Sequence, residues 1–108
     1  MIIAVDFDGT LCGESWPYIG EPNVNLIRYL RKAKLRGDKL VLYTMREGKL
    51  LQEAIDWCKA EGLEFDAVND NVKVMQEQFG NNPRKVFADY YIDDHNAICG
   101  IGRKLPKR

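Results

Sequence analysis

Four carboxylates stand in two close pairs, Asp6 with Asp8 and Asp93 with Asp94, and each pair follows or closes an apolar run, residues 2–7 and 86–92. Brought into one confined site, such acids repel one another unless a cation neutralises them, which implies a hard divalent metal. Mg²⁺ suits an all-oxygen set of a few carboxylates, a backbone carbonyl and retained waters, with a substrate phosphate completing its octahedron. No EF-hand-type loop that would favour Ca²⁺ is present.

A metal held by carboxylates beside a nucleophilic carboxylate suggests in-line phosphoryl transfer. Asp6 is then the nucleophile, forming an aspartyl phosphate, while Asp8 protonates the leaving oxygen and later activates water. Gly9 lets the backbone approach the phosphate closely. Thr44 supplies a hydroxyl donor, and Lys85 or Arg84 supplies positive charge where the transferring group gathers negative charge; spacing alone does not choose between the two bases. Arg46, shortly after Thr44, has two readings, a reach to the phosphate or a solvated side chain. The plain alternatives are two turn-forming acids at Asp6 and Asp8, a strand-end hydroxyl at Thr44 and a solvated loop base at Lys85. Trp16 and Tyr18 stand after the first acid pair, where they stack on a base or sugar or pack on the rim of the sheet.

Four strands must position these groups. Residues 2–7 form a short buried strand ending near Gly9. From Pro22, a suitable first helical residue, Val24, Ile27, Leu30 and Ala33 mark one helix face as far as Gly37. Residues 39–44 form a central strand ending at Thr44. Leu51, Ala54, Ile55 and Cys58 mark a second helix that stops at Gly62, and residues 65–68 a third strand. Val72, Met75 and Phe79 predict a third helix closing at Gly80, and residues 86–92 a fourth strand leading into Asp93 and Asp94. The order βαβαβαβ predicts a three-layer, Rossmann-like α/β domain with a short parallel sheet of about four strands. Ligands bind such sheets at the carboxyl ends of the strands, where Asp6 and Asp8, Thr44, and Asp93 and Asp94 all fall.

At 108 residues the chain predicts one domain, residues 1–108. A hydrophobic fraction of 45%, a charged fraction of 30% and no apolar run of bilayer length exclude a membrane span and predict a cytoplasmic protein. Cys12, Cys58 and Cys99 are widely spaced and odd in number, which fits reduced thiols better than disulfides or zinc ligands. Sixteen basic and sixteen acidic residues leave no global field for holding a polynucleotide.

These residues resemble the motifs of the haloacid dehalogenase-like (HAD) hydrolase superfamily along nearly the whole chain. Asp6-Phe7-Asp8-Gly9-Thr10 is similar to its first motif, DxDGT; Leu42-Tyr43-Thr44 to the second; Lys85 to the lysine of the third; and Tyr91-Ile92-Asp93-Asp94 to the DD form of the fourth. The resemblance implies Asp6 as nucleophile and Asp8 as acid/base, with the Asp8 backbone carbonyl also a metal ligand. It implies one or both of Asp93 and Asp94 at the Mg²⁺, and Gly9, Thr10 and Arg46 are the residues expected around the substrate. An acid at the Asp8 position points to phosphate esters. The stretch from residue 11 to 21 is too short for a cap domain, so the expected site is open, suited to a large substrate or to a lid from a partner subunit. The substrate is a phosphorylated compound, a nucleotide or a macromolecule among the possibilities, and the chain ends too soon after Asp94 to make a fifth strand an expectation. The competing function is a non-catalytic binding or regulatory module on the same fold. A phosphoacceptor receiver domain fails on order, because it places its acid pair first and its phosphorylated Asp on a later strand.

Overall fold

The computed structural model describes residues 1–70, 72–79, 87–93 and 97–99. In chain order the elements are β1 (Ile2–Val5), α1 (Val24–Leu35), β2 (Lys39–Leu42), α2 (Gly48–Ala60), β3 (Ala67–Val68), α3 (Lys73–Phe79), β4 (Tyr90–Asp93) and β5 (Ala97–Cys99). They form one sheet in the order β3-β2-β1-β4-β5. The first four strands run parallel, as the βαβ alternation predicts. The fifth strand corrects the sequence reading: Ala97–Cys99 turns back antiparallel along β4, pairing Tyr91 with Cys99 and Asp93 with Ala97.

β1 is buried along its whole length because it lies at the centre with helices on both faces. Ile3 and Val5 pack with Leu26, Ile27, Leu30 and Ala33 of α1 and with Ala54 and Cys58 of α2. Ile2 and Ala4 face the other way, toward Val41, Val72 and Ala88, with Met75 of α3 packed against them. The result is the predicted three-layer arrangement. Leu30 is wholly buried, and its truncation to Ala is expected to cost about 2–5 kcal/mol.

Several boundaries differ from the sequence reading for identifiable reasons. α1 starts at Val24 because Asn23, not Pro22, is its cap: Asn23 Oδ1 accepts from Leu26 N at 3.3 Å. Asn23 Nδ2 donates to Thr10 O at 3.0 Å, so the cap also ties the helix to the turn after β1. Pro22 instead lies in a short bridge with Cys12. β2 ends at Leu42, before Thr44, and β3 is reduced to Ala67–Val68. The strand ends opposite the candidate site are finished by side chains: Asp66 Oδ2 accepts from Leu40 N at 2.8 Å and Asp89 Oδ2 from Ile2 N at 2.6 Å. Asp89 thereby occupies a capping place before β4, which starts at Tyr90 and not at residue 86. α2 stops near Gly62 as expected, where φ is +83°. Among the described residues no helix is long and apolar enough to cross a membrane.

Candidate active site

The carboxyl ends of β2, β1 and β4 lie side by side, with Val5 in register with Leu42 on one side and Ile92 on the other. One residue further on, Tyr43, Asp6 and Asp93 therefore form a row across the rim. Backbone bonds extend both ladders that far, Asp6 N donating to Ile92 O at 2.9 Å and Tyr43 N to Val5 O at 3.0 Å. Side chains alternate along strands, so these three share the face of Ala4, Val41 and Tyr91. Tyr43 Oη donates to Asp93 Oδ2 at 2.8 Å, and its ring meets Tyr91 edge-on at 6.4 Å.

Asp6 Oδ1 accepts from Phe7 N at 2.8 Å. The chain then turns sharply, Thr10 N and Leu11 N both donating to Phe7 O, with Gly9 at φ +78°. A side chain at that φ would be strained, which is the backbone reason for glycine in the first motif. The same turn rolls Thr10 inward with Leu11 and Cys12. Thr10 Oγ1 is buried and has no hydrogen-bond partner among the described residues. The Thr10 expected beside the substrate thus has its hydroxyl buried in this conformation.

Asp8 leaves the row and meets Arg46. Arg46 Nε donates to Asp8 Oδ2 at 2.8 Å and Nη2 to Asp8 Oδ1 at 2.7 Å, a two-pronged fork between β1's turn and the segment after β2. Arg46 is 1% exposed, so the solvated reading of this residue is overturned. Its Nε and Nη2 are both engaged by Asp8. Nη2 also donates to Tyr18 O at 3.2 Å. The guanidinium carbon stands 5.0 Å from the Phe7 ring centre and 5.1 Å from that of Trp16. Phe7 in turn meets Trp57 of α2 edge-on at 5.5 Å. The bond to Asp8 raises the Arg46 pKa further above its ordinary value, outweighing the desolvation that opposes it.

Thr44 stands at the next strand end, half-buried. Its Oγ1 accepts from Arg46 N at 3.2 Å and its N–H donates to Asn69 Oδ1 at 2.8 Å. A hydroxyl that accepts there keeps its own proton for donation elsewhere. The rim above is formed by the loop of residues 13–20, which carries Trp16 at 53% and Tyr18 at 76% exposure, and by Met45 at 95%. The loop is pinched at its base, Gly13 N donating to Glu21 O at 2.8 Å.

The structure thus sets Asp6 and Asp93 on neighbouring strand ends, pairs Asp8 with Arg46 and ties Thr44 to the Arg46 backbone. Arg84, Lys85 and Asp94 lie outside the described residues. Sequence reasoning missed Tyr43, read only as part of an apolar run, and Asn69, which adopts φ +51° after β3 and bonds Thr44. An Asn just past a short strand is the signal that could have marked it. Asp6 and Asp93 are the described carboxylates in neighbouring register, hard oxygen donors of the type Mg²⁺ takes. Among the described residues no three acidic, His or Cys side chains gather to form a protein cage. That donor set fits a cation held by one or two carboxylates and completed by water and phosphate. The thiols do not join it: Cys12 and Cys58 are buried, and burial pushes the Cys58 thiol up to about 12 and Cys12 in the same direction.

Among solved structures, the chain is similar to a conserved protein from Bacteroides thetaiotaomicron, at a TM-score of 0.76 and 41% sequence identity, over 99% of this chain and 82% of that one. No protein-family model and no curated protein matches the chain.

Proposed function

The chain belongs to the family of that conserved Bacteroides protein, and from its rim we propose a Mg²⁺-dependent phosphomonoesterase of the HAD type that works through an aspartyl phosphate on Asp6. The observation that carries this reading is the juxtaposition of Asp6 and Asp93 at the carboxyl ends of neighbouring parallel strands, with Asp8 and Thr44 flanking them.

In this reading a carboxylate oxygen of Asp6 attacks the phosphorus as the bond to the leaving oxygen breaks. That oxygen keeps the electron pair and takes a proton from Asp8. A water then attacks the phosphorus and gives a proton back to Asp8, the aspartyl oxygen departs, and Asp6 is restored. To serve, Asp8 must free one oxygen from the Arg46 fork. The Thr44 hydroxyl donates to the transferring group, and Lys85 or Arg84 adds positive charge. Asp6, the Asp8 carbonyl and one or both of Asp93 and Asp94 would hold Mg²⁺, which would supply charge neutralisation of the carboxylates and the phosphate.

Among the described residues no cap stands over the site, the 13–20 loop being short, which suits a large phosphorylated substrate or a lid lent by a second copy. Two buried free thiols agree with a reducing, cytoplasmic setting.

The test is phosphate release from an aryl phosphate and a panel of nucleotides, with and without Mg²⁺, for wild type and Asp6→Asn. Metal-dependent turnover abolished in Asp6→Asn supports the reading. A folded, Mg²⁺-loaded protein inert on every ester shifts it to the second reading, a non-catalytic binding module, which draws on one observation: Arg46 already occupies both oxygens of Asp8.

A further inference from the structure

We infer that Arg46 is a positioning residue that couples the acid/base Asp8 to the aromatic loop of residues 13–20, an inference that rests on the phosphatase reading for its catalytic half. Contacts from both parts of the rim converge on Arg46. The fork fixes both oxygens of Asp8 at 2.8 and 2.7 Å. The same Nη2 that holds Asp8 Oδ1 also donates to Tyr18 O at 3.2 Å, so one nitrogen serves the acid and the loop together. The cation lies between the rings of Phe7 and Trp16, the first in the turn after β1 and the second in the loop. The Arg46 backbone N–H donates to Thr44 Oγ1, which ties the hydroxyl donor to the same unit.

A fully buried charge is a costly device for packing alone, and Arg is rarely buried unless paired. Here the pairing joins two parts of the rim that no regular element connects. Displacing Trp16 or Tyr18 removes the ring and the carbonyl that hold the guanidinium, and a released guanidinium no longer aims Asp8. A substrate that seats against the loop therefore acts on the orientation of Asp8 through Arg46. The planar fork is what makes this possible: a lysine keeps the charge but cannot hold both oxygens at once.

The test uses leaving-group dependence. A nitrophenyl phosphate departs with little protonation, whereas an alkyl phosphate needs the proton of Asp8. For Arg46→Lys the expected loss in kcat/KM, which reports the step in which the leaving group departs and not the common hydrolysis of the aspartyl phosphate, is about 100-fold on the alkyl ester and under about fivefold on the nitrophenyl ester. An equal loss on both esters marks a merely structural role and overturns the proposal. A second readout needs no turnover. In a Trp57→Phe background, where emission reports Trp16 alone, Asp8→Asn and Arg46→Lys should each red-shift the emission with the far-UV circular dichroism unchanged, and the double variant should add nothing. Independent, additive shifts, or no shift, overturn the coupling. If the wild type hydrolyses neither ester, the phosphatase reading and the catalytic half fall together, and the emission cycle decides the tether alone.

Discussion

The phenol of Tyr43 reaches from β2 across the end of β1 to bond Asp93 of β4, Oη to Oδ2 at 2.8 Å. The bond spans the position of Asp6, so the hydroxyl holds one wall of the row in place from the other. If Asp93 ligates the metal, the phenol orients a ligand oxygen from outside the coordination sphere. Such outer partners typically affect metal affinity about 10- to 100-fold. Tyr43→Phe should therefore raise the Mg²⁺ concentration for half-maximal turnover by about tenfold, with kcat at saturating metal little changed. A metal titration of phosphate release checks this, and an unchanged Mg²⁺ dependence would remove Asp93 from the ligand set.

The Arg46–Asp8 pair should dominate stability at the rim. Arg46 is side-chain buried and Asp8 is 16% exposed, so removing one partner strands a charge in a poorly hydrated place. Arg46→Met is expected to lower unfolding free energy by about 3–5 kcal/mol, and Asp8→Asn by a similar amount. The double variant Asp8→Asn with Arg46→Met should lose clearly less than the sum. Urea midpoints of the four proteins measure the coupling.

Cys58 gives the fold an alkaline limit. Its thiol titrates at about 12 in the fold against 9.0 when unperturbed, because burial disfavours the thiolate. Between those values the unfolded chain has released a proton that the native state still holds. The stability it confers is therefore complete below pH 9 and is lost as pH rises toward 12, with a slope of up to about 1.4 kcal/mol per pH unit. Cys58→Ser or Cys58→Ala should flatten that decline in denaturation curves taken across the range. At pH 8 native protein should also leave Cys58 and Cys12 unalkylated by iodoacetamide, read site by site by mass spectrometry.

Gly20 sets the base of the aromatic loop. A Cβ there would run into Gly13 O and lie only 2.8 Å from Gly13 C and 2.9 Å from Gly13 Cα, all of them backbone atoms. Gly20→Ala must therefore push the two sides of the loop apart, against the bond from Gly13 N to Glu21 O. The expected result is faster chymotryptic cleavage at Trp16 and Tyr18 with little change in the global unfolding midpoint. Unaltered cleavage would mean that the pinch does not hold the loop.

Much of the scaffold could be read from residue types. Ile2 to Val5 and Leu40 to Leu42 are unbroken apolar runs because both faces of their strands are covered, and the placing of Asp6 and Thr44 just past their ends follows from that. What stayed hidden depends on partners distant in sequence. Nothing local to Arg46 indicates burial; its burial needs Asp8, 38 residues earlier, together with two rings from different turns. Tyr43 looked like core because its ring is core, while its hydroxyl is the part that reaches Asp93. Asn23 lost to Pro22 as the helix start because a capping bond and a favourable φ compete at adjacent positions, and the second bond from Asn23 to Thr10 decides between them.

The reversal of β5 bears on how copies of this chain could meet. With β5 running back along β4, the outer strands of the sheet are Ala97–Cys99 on one side and Ala67–Val68 on the other, three and two residues long. Edges so short present few free amide and carbonyl groups to a neighbouring chain. Among the described residues, then, helix faces and the aromatic loop offer more to self-association than the sheet edges do, and edge-to-edge extension, the usual first step toward fibrous aggregation, finds little purchase.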